Sequence, residues 1–178
     1  MHRENPSVFW RAVYIASRQE KKVAERLTIL AIEHYLPMSK KLRIWSDRKK
    51  WVDFPLFNGY LFVKPDLQQL DQVLNVQGVV SYLSFGGQHA QIRDREIEII
   101  RNVERSGYHA ESVHTSADFK EGEELIITEG PLKSQKVTLL RKNNEQWFLV
   151  SIESIGQSLK ITLPWDVLAK TSANNSQS

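Results

Sequence analysis

The sequence predicts an α+β domain followed by a small all-β barrel. Strand-like and helix-like patterns alternate through the first half, whereas short β-rich segments separated by Gly, Pro and Asn follow Asp118. Charge divides the chain in the same way, because residues 1–105 hold 17 Lys and Arg against 12 Asp and Glu, a net +5. Residues 106–178 hold 7 against 9, a net −2. A chain of 178 residues has room for two such domains with ordinary cores.

The first predicted elements are a strand and a helix. A strand is expected over Trp10–Ala16, and a helix over Gln19–Ile32, where apolar residues recur at helical spacing. Ser17 and Glu20 have the Ser-x-x-Glu spacing of a capping box, in which each side chain bonds a free backbone N–H of the first turn. We therefore expect Ser17 to cap this helix.

A basic hairpin is predicted next. Its arms are expected over Met38–Ser46 and Lys49–Phe54, with Ser46-Asp47-Arg48 as the polar turn between them. Another strand is expected over Tyr60–Val63, after a segment marked by Pro55 and Gly59.

Helix and strand signals continue to the end of the first half. Asp66 is a candidate cap for a helix that stops before Gly78, and a strand is expected over Val79–Ser84. Gly86-Gly87 marks a turn, and Asp94 can cap a last amphipathic helix. Strands and helices in this arrangement predict a two-layer α+β sandwich over residues 1–105.

The second half is predicted to be all β. Residues 106–117 have no period and are rich in small and polar residues, which is typical of a linker. Short strands at the spacing of an SH3-like barrel are expected within residues 118–170, and residues 171–178 are expected to be a disordered tail. These strands are Glu124–Thr128, Lys136–Leu140, Gln146–Ile152 and Leu159–Leu163.

Composition excludes several classes of protein. Without cysteine the chain has neither disulfides nor thiolate metal sites, and no apolar run approaches the roughly 20 residues of a membrane span. The N-terminus lacks the apolar segment of a secretory signal, so a cytoplasmic location is expected. Neither a phosphate loop nor a nucleophile elbow is present, and the histidines lack metal-ligand spacing, so we expect no enzyme and no cofactor. The histidines are His2, His34, His89, His109 and His114.

The most informative stretch is Pro55–Val63, which presents three aromatic side chains along a turn and a strand. Strand alternation places Tyr60 and Phe62 on one side of the sheet. For any single aromatic residue, burial in the core is the more common fate. Display of Phe57 and its neighbours as a binding surface is the alternative.

Three motifs in order resemble the NusG family of transcription elongation factors: Trp10–Leu27, Pro55–Val63 and Gly122–Lys133. The similarity extends from Phe9 to Lys170, and it implies a ferredoxin-like NGN domain followed by a KOW barrel. Leu36-Pro37-Met38 and the Pro55 motif look closer to the specialised paralogues, RfaH and the UpxY-type antiterminators, than to the housekeeping factor. The implied function is suppression of pausing or termination by a monomer bound to RNA polymerase.

The resemblance implies that an apolar pocket receives the coiled coil of the polymerase clamp. Rigid aromatic anchors suit such an interface because they concentrate binding energy at little entropic cost. We expect Phe57 and Tyr60 to be at least partly exposed. The residues that match the family's pocket are Tyr14, Phe57, Tyr60 and Phe62.

Basic residues are the second candidate site. In the family the hairpin lies near upstream or non-template DNA, whose phosphates could pair with its cations, and Trp45 and Trp51 interleave the basic run. A solvated hairpin whose charges only prevent edge pairing is about equally probable from the residues alone. Gln69, Asp71 and Gln72 lie where RfaH-like proteins contact the opposite jaw of polymerase, but a solvated helix face is favoured. The candidate cations are Lys40, Lys41, Arg43, Arg48, Lys49 and Lys50 in the hairpin, and Arg18, Lys21 and Lys22 at the first helix.

The KOW motif Gly130-Pro131-Leu132-Lys133 departs from many family members at Ser134, where further glycines are usual, so a shorter loop is expected. The family uses this barrel to bind a ribosomal protein or Rho. Phe148, Ile152 and Ile155 are candidates for that surface, although burial is the commoner fate of such residues.

Two alternatives concern the second domain. In RfaH it can form a helical hairpin, whereas the β-branched residues and prolines of this chain favour a permanent barrel. Because KOW barrels also occur in ribosomal proteins, an RNA- or ribosome-binding module is the alternative function.

Overall fold

The computed structural model describes residues 8–44, 48–114, 122–142 and 145–171. Two compact units are present, Met1–Ile100 and Arg101–Ser178. Trp45, most of the predicted turn Ser46-Asp47-Arg48 and nearly all of the predicted tail lie outside the described residues.

A four-stranded antiparallel sheet in the order β2-β5-β1-β6 is the base of the first unit. Two further pairs, β3-β4 and β7-β8, are hairpins outside this sheet. The predicted α+β domain is confirmed, and so are the bounds of the strand at Tyr60–Val63. The elements up to residue 106 are β1 (Arg11–Ile15), α1 (Glu20–Ile29), β2 (His34–Tyr35), β3 (Met38–Ile44), β4 (Lys49–Pro55), β5 (Tyr60–Val63), α2 (Gln69–Leu74), β6 (Val79–Tyr82), β7 (Ser84–Phe85), β8 (Gln88–His89) and α3 (Asp94–Ser106).

The main core of this unit lies between the sheet and α1. Val13 on β1 and Leu61 on β5 face each other in register, and both are fully buried with Val23 and Leu27 of α1. Val73 of α2 joins the same cluster. The helical spacing read from the sequence therefore identifies the buried face of α1 correctly.

The start of α1 differs from the prediction. Gln19 is the N-cap residue, and no side chain caps the helix there. The carboxyl group of Glu20 is buried and accepts a hydrogen bond from the backbone N–H of Gly59, 39 residues away in sequence. The predicted capping box at Ser17 is wrong because a tertiary partner takes the carboxyl group that such a box would use.

The end of α1 is a Schellman motif with alanine where glycine is usual. The N–H of Ile32 donates to the carbonyl of Leu27, and the N–H of Ala31 donates to that of Thr28, each at 3.0 Å. Ala31 has φ of 54°, in the left-handed region, where a Cβ is unfavourable. Burial of both Ile32 and Leu27 supplies the apolar contact that accompanies this motif.

The other capping predictions hold only in part. The N–H of Gln69, the first residue of α2, donates to the Asp66 carboxylate at 2.8 Å, but the N-cap residue of this short helix is Gln68. Asp94 is the first residue of α3 rather than the residue before it, and its carboxylate accepts from the ammonium group of Lys64 at 3.1 Å. The expected apolar face of α3 is buried, and Gly86-Gly87 forms the turn between β7 and β8.

The second unit contains a six-stranded antiparallel sheet in the order β14-β10-β11-β12-β13-β9. The predicted all-β second domain is confirmed. The linker prediction is wrong over Ala110–His114, because this segment is β9 and pairs along its length with β13. The strands are β9 (Ala110–His114), β10 (Glu124–Ile127), β11 (Lys136–Lys142), β12 (Glu145–Ile152), β13 (Gln157–Ile161) and β14 (Leu168–Lys170).

The turn after β10 carries the KOW motif. The N–H of Lys133 donates to the Gly130 carbonyl at 3.1 Å, and the N–H of Ser134 donates to the Ile127 carbonyl at 2.7 Å. Ser134 adopts φ of 69°, a conformation that glycine adopts more readily. Gly122, just before β10, is required for another reason, because a Cβ there would lie 1.8 Å from the carbonyl oxygen of Leu139.

Replacing Ala31 with Gly should stabilise the protein by about 0.5–1 kcal/mol, because glycine relieves the left-handed strain by more than its added chain entropy costs. Urea unfolding of the full chain measures the change. Ala24→Gly, the same substitution inside α1, is the control and should destabilise by about 1 kcal/mol or more. Equal destabilisation by both variants would contradict this account of the helix end.

Candidate functional site

Tyr14 and Tyr60 form a partly exposed aromatic pair on the sheet. They lie directly opposite each other on β1 and β5, and their ring centroids are 4.8 Å apart with planes inclined at 45°. Tyr14 is 36% exposed and Tyr60 is half-buried. Tilted rings at this separation attract each other beyond the effect of burial, so the two tyrosines form one surface.

A tight turn at Phe57–Tyr60 holds the second ring in place. The N–H of Tyr60 donates to the Phe57 carbonyl at 3.2 Å, and Gly59 has φ of 75°, as the third residue of a type II turn requires. The Gly59 carbonyl accepts from the N–H of Ile15 at 2.8 Å, while its N–H donates to Oε1 of Glu20 at 3.0 Å. Both polar groups of Gly59 are therefore bound, one by β1 and one by α1.

Phe57 and Phe62 are buried, although Phe62 lies on the same side of the sheet as Tyr60. Both are 0% exposed, and they meet edge to face with centroids 5.4 Å apart. The expectation that Phe57 is partly exposed is wrong. Phe62 lies opposite Ala12, whose small side chain leaves room for the ring, and Phe57 packs its edge against that ring. Tyr35 on β2 stacks on Phe62 at 6.3 Å.

The basic hairpin has the predicted arms, with slightly different ends. Its register pairs Met38 with Pro55 at the base and Ile44 with Lys49 near the tip. Of the candidate cations, Lys40, Arg48, Lys49 and Lys50 are exposed, whereas the side chains of Lys41 and Arg43 lie outside the described residues.

Two apolar side chains accompany these cations. Trp51 is 64% exposed and Ile44 is 69% exposed. Asp53 is the acidic residue of the described arms, and it lies opposite Lys40. The ribbon therefore combines a positive charge with an accessible aromatic ring.

The cations at α1 form a separate group. Arg18, Lys21 and Lys22 are all exposed, and Arg18 has φ of 61°. A left-handed non-glycine residue costs about 1–2 kcal/mol, which the surrounding turn must offset. On α2, Gln69 already bonds Asp66 through its side-chain oxygen, at 3.1 Å.

The three barrel residues selected from the sequence are buried, which is the commoner of the two fates considered for them. Phe148, Ile152 and Ile155 are 1%, 0% and 3% exposed, because alternation along β12 directs the first two into the core. Trp165, which the sequence analysis did not select, is 51% exposed and packs its ring edge to face with Phe148 at 5.6 Å. Trp165 directly follows Pro164, and this position next to a proline is the feature of the sequence that could have indicated a surface residue.

Trp147 is a second aromatic residue of the barrel surface. The ammonium group of Lys160 lies 3.6 Å from the centroid of its ring. This cation occupies a ring face that a ligand could otherwise use.

One tyrosine has a strongly altered acidity, and it lies in the core. Burial raises the pKa of Tyr82 to about 12, and its hydroxyl donates to the Leu70 carbonyl at 2.9 Å. Within the described residues there is no group of three or more His, Asp or Glu that could hold a metal ion. The helices of the described segments include none that is long and apolar enough to span a membrane. The candidate surfaces offer packing, stacking and charge.

Comparison with known proteins identifies similar chains. A family profile described as "Transcription termination factor nusG" matches residues 9–101, just over half of the chain. A protein from Borreliella burgdorferi named "Transcription termination/antitermination protein NusG" is 23% identical over 90% of this chain and 97% of its own length. The solved structure "Domain interaction in Thermotoga maritima NusG" is 21% identical and has a TM-score of 0.58, covering 93% of this chain and 98% of that one.

Truncation should separate the exposed rings from the buried ones. Phe57→Ala removes a fully buried ring and should destabilise the protein by about 3–5 kcal/mol. Tyr60→Ala should cost less, about 1–2 kcal/mol, since part of that ring already faces solvent. Urea unfolding of both variants measures the difference. A similar loss of unfolding free energy in the two variants would show that Phe57 and Tyr60 do not differ in burial as described.

Proposed function

This chain belongs to the NusG family, and on that premise we propose that it is a transcription elongation and antitermination factor that binds the clamp of RNA polymerase through Tyr14 and Tyr60. The observation that carries the proposal is the pair of adjacent, partly exposed tyrosine rings on neighbouring strands of the sheet. An aromatic surface of this kind fits the apolar side chains at the tip of a helical hairpin. Such anchors lose little conformational entropy on binding.

The buried rings have a supporting role in this proposal. Phe62 lies on the same side of the sheet as Tyr60 but is buried, and Phe57 packs against it. Phe57 also begins the turn that positions Tyr60, and a turn anchored by packed rings limits how far Tyr60 can move, so less ordering remains to be done at binding. The proposed polymerase site thus divides into two contact residues, Tyr14 and Tyr60, and two buried residues that support them.

For the hairpin we propose contact with DNA near the transcription bubble. The exposed lysines provide the positive charge. The β3-β4 ribbon is separate from the four-stranded sheet, so it can approach a phosphate backbone without disturbing that sheet. The cations at the start of α1 are proposed to extend the same electrostatic attraction. This contact would add to clamp binding and would not replace it.

For the barrel we propose recruitment of a ribosomal protein or of a termination factor. Trp165 is the exposed anchor in this proposal, in place of the three buried residues. The similarity of Leu36-Pro37-Met38 to the specialised paralogues supports a role confined to particular operons. Mapping polymerase occupancy with and without the protein tests that role, because a housekeeping factor would change occupancy at most genes.

Tyr60→Ala should weaken binding to core RNA polymerase by about 30-fold, the equivalent of the 2 kcal/mol typical of an anchor residue. Titration of labelled full-length protein with polymerase measures it. Phe85→Ala is the matched control, because Phe85 is 55% exposed on the separate β7-β8 hairpin and should leave the affinity unchanged. Unchanged affinity in a folded Tyr60→Ala variant would refute the proposed clamp site.

Replacing Lys40, Lys41, Lys49 and Lys50 with Gln should weaken DNA binding and flatten its dependence on salt. Each lost phosphate contact reduces the slope of log K against log [salt] by about 0.7–0.9. Binding to short DNA at several salt concentrations measures the slope. The control is Lys133→Gln with Lys136→Gln, which removes charge from the barrel. An identical slope in parent and hairpin variant would mean that these lysines are only solvated.

A further inference from the structure

The exposure of Trp51 on the β3-β4 hairpin has no structural explanation. An exposed tryptophan contributes little to a two-stranded ribbon, yet 64% of Trp51 faces solvent. The β3-β4 register places it on the same face as Ile44 and Lys49, since these two oppose each other two positions further toward the tip. Ile44 is similarly exposed at 69%.

Leu42 lies directly opposite Trp51 in the register, and a charged pair follows on the other side of it. Lys40 and Asp53 oppose each other two positions toward the base. The face therefore carries, from base to tip, a Lys-Asp pair, the Leu42-Trp51 pair and an Ile-Lys pair. Both flanking pairs present an exposed lysine.

A ring between two cations restricts the class of ligand. An apolar protein surface would have to desolvate both ammonium groups without pairing them. A polyanion with flat apolar groups along its chain would satisfy the lysines and cover the ring together. Single-stranded nucleic acid has this composition, because its unpaired bases offer a π-face between successive phosphates.

Duplex DNA fits this face less well. In a duplex the base faces are stacked on one another, so a protein meets phosphates and base edges. The lysines could contact such a backbone, but the indole ring would find no face to cover. The exposed ring therefore favours a single strand over a duplex.

We propose that Trp51 stacks on an unpaired base of single-stranded DNA while Lys40 and Lys49 contact the phosphates on either side. Stacking tolerates any base, so this contact holds the strand without reading its sequence. The choice of DNA over RNA rests on the proposed function, which brings the hairpin near the transcription bubble. The stacking itself rests on the geometry of the ribbon.

The test uses the full chain and three labelled probes: a 12-nucleotide oligo-dT, a 12-base-pair duplex and a 12-nucleotide oligo-rU. Fluorescence anisotropy gives the affinity of each. Trp51→Ala should raise the Kd for oligo-dT about 5- to 150-fold, the equivalent of about 1–3 kcal/mol per stacked base. The Kd for the duplex should change less than about twofold, since its contacts are to phosphates.

Two further variants isolate stacking from other effects. Trp51→Phe keeps an aromatic face and should remain within about fivefold of the parent on oligo-dT. Phe85→Ala removes another exposed aromatic ring, 55% exposed on the separate β7-β8 hairpin, and should leave the Kd unchanged. Trp51→Ala should also preserve the slope of log K against log [salt], because no cation is lost.

Several results would overturn the proposal. These are a parent protein that does not bind oligo-dT, a Trp51→Ala variant that binds it as the parent does, or an equal loss on oligo-dT and duplex. Binding of oligo-rU more than about tenfold tighter than oligo-dT would contradict the assignment to DNA. A further titration separates DNA stacking from clamp binding. The affinity of the Trp51→Ala variant for RNA polymerase without nucleic acid should equal that of the parent protein.

Discussion

The hydrogen bond from the N–H of Gly59 to the carboxyl group of Glu20 is the contact on which the candidate site depends. It joins the first turn of α1 to the turn between β4 and β5, and the carboxyl group is buried. A hydrogen bond to a carboxylate is worth about 1.5–3 kcal/mol, and an unsatisfied partner in the interior costs as much. Loss of either partner would therefore loosen the turn.

The consequences of this contact extend in two directions. Toward the surface, the turn places Tyr60 opposite Tyr14 at the start of β5. Toward the interior, it fixes Phe57 against Phe62, and so it couples the exposed pair to the core. Acidic side chains in the first turn of a helix also interact favourably with the helix dipole. Glu20 therefore stabilises α1 as well as the turn at Gly59.

The first unit carries two chemically different candidate surfaces. The aromatic pair belongs to the four-stranded sheet, where every strand is held by its neighbours, and suits a rigid apolar contact. The cations belong mainly to the β3-β4 ribbon, which pairs with no strand of that sheet within the described residues. Because the two surfaces lie on different structural elements, substitutions in one should leave the other intact.

Sequence patterns predicted the elements whose signals are local. The alternation at Tyr60–Val63 and the hydrogen bond of Asp66 at the start of α2 depend on neighbouring residues, and the structure has both. Features that depend on distant partners were mispredicted. Ala110–His114 is rich in polar residues and becomes a strand only by pairing with β13, and Glu20 leaves its local cap for Gly59.

Exposure was the hardest property to predict. Strand alternation put Tyr60 and Phe62 on one side correctly, but that side is covered at Phe62 and open at Tyr60. Periodicity assigns a face and does not say how much of the face other elements cover. Phe148 and Ile152 show the same limit in the barrel, since the interior lies on their side of β12.

Site-specific photo-crosslinking tests the central claim most directly. Benzoylphenylalanine in place of Tyr60 should crosslink in cell extract to the clamp coiled coil of RNA polymerase, because the pair is proposed to touch it. The same group in place of Phe85, exposed on the β7-β8 hairpin, should give little of that product. Crosslinks from position 60 to ribosomal RNA, or to polymerase no more efficiently than from position 85, would contradict the account.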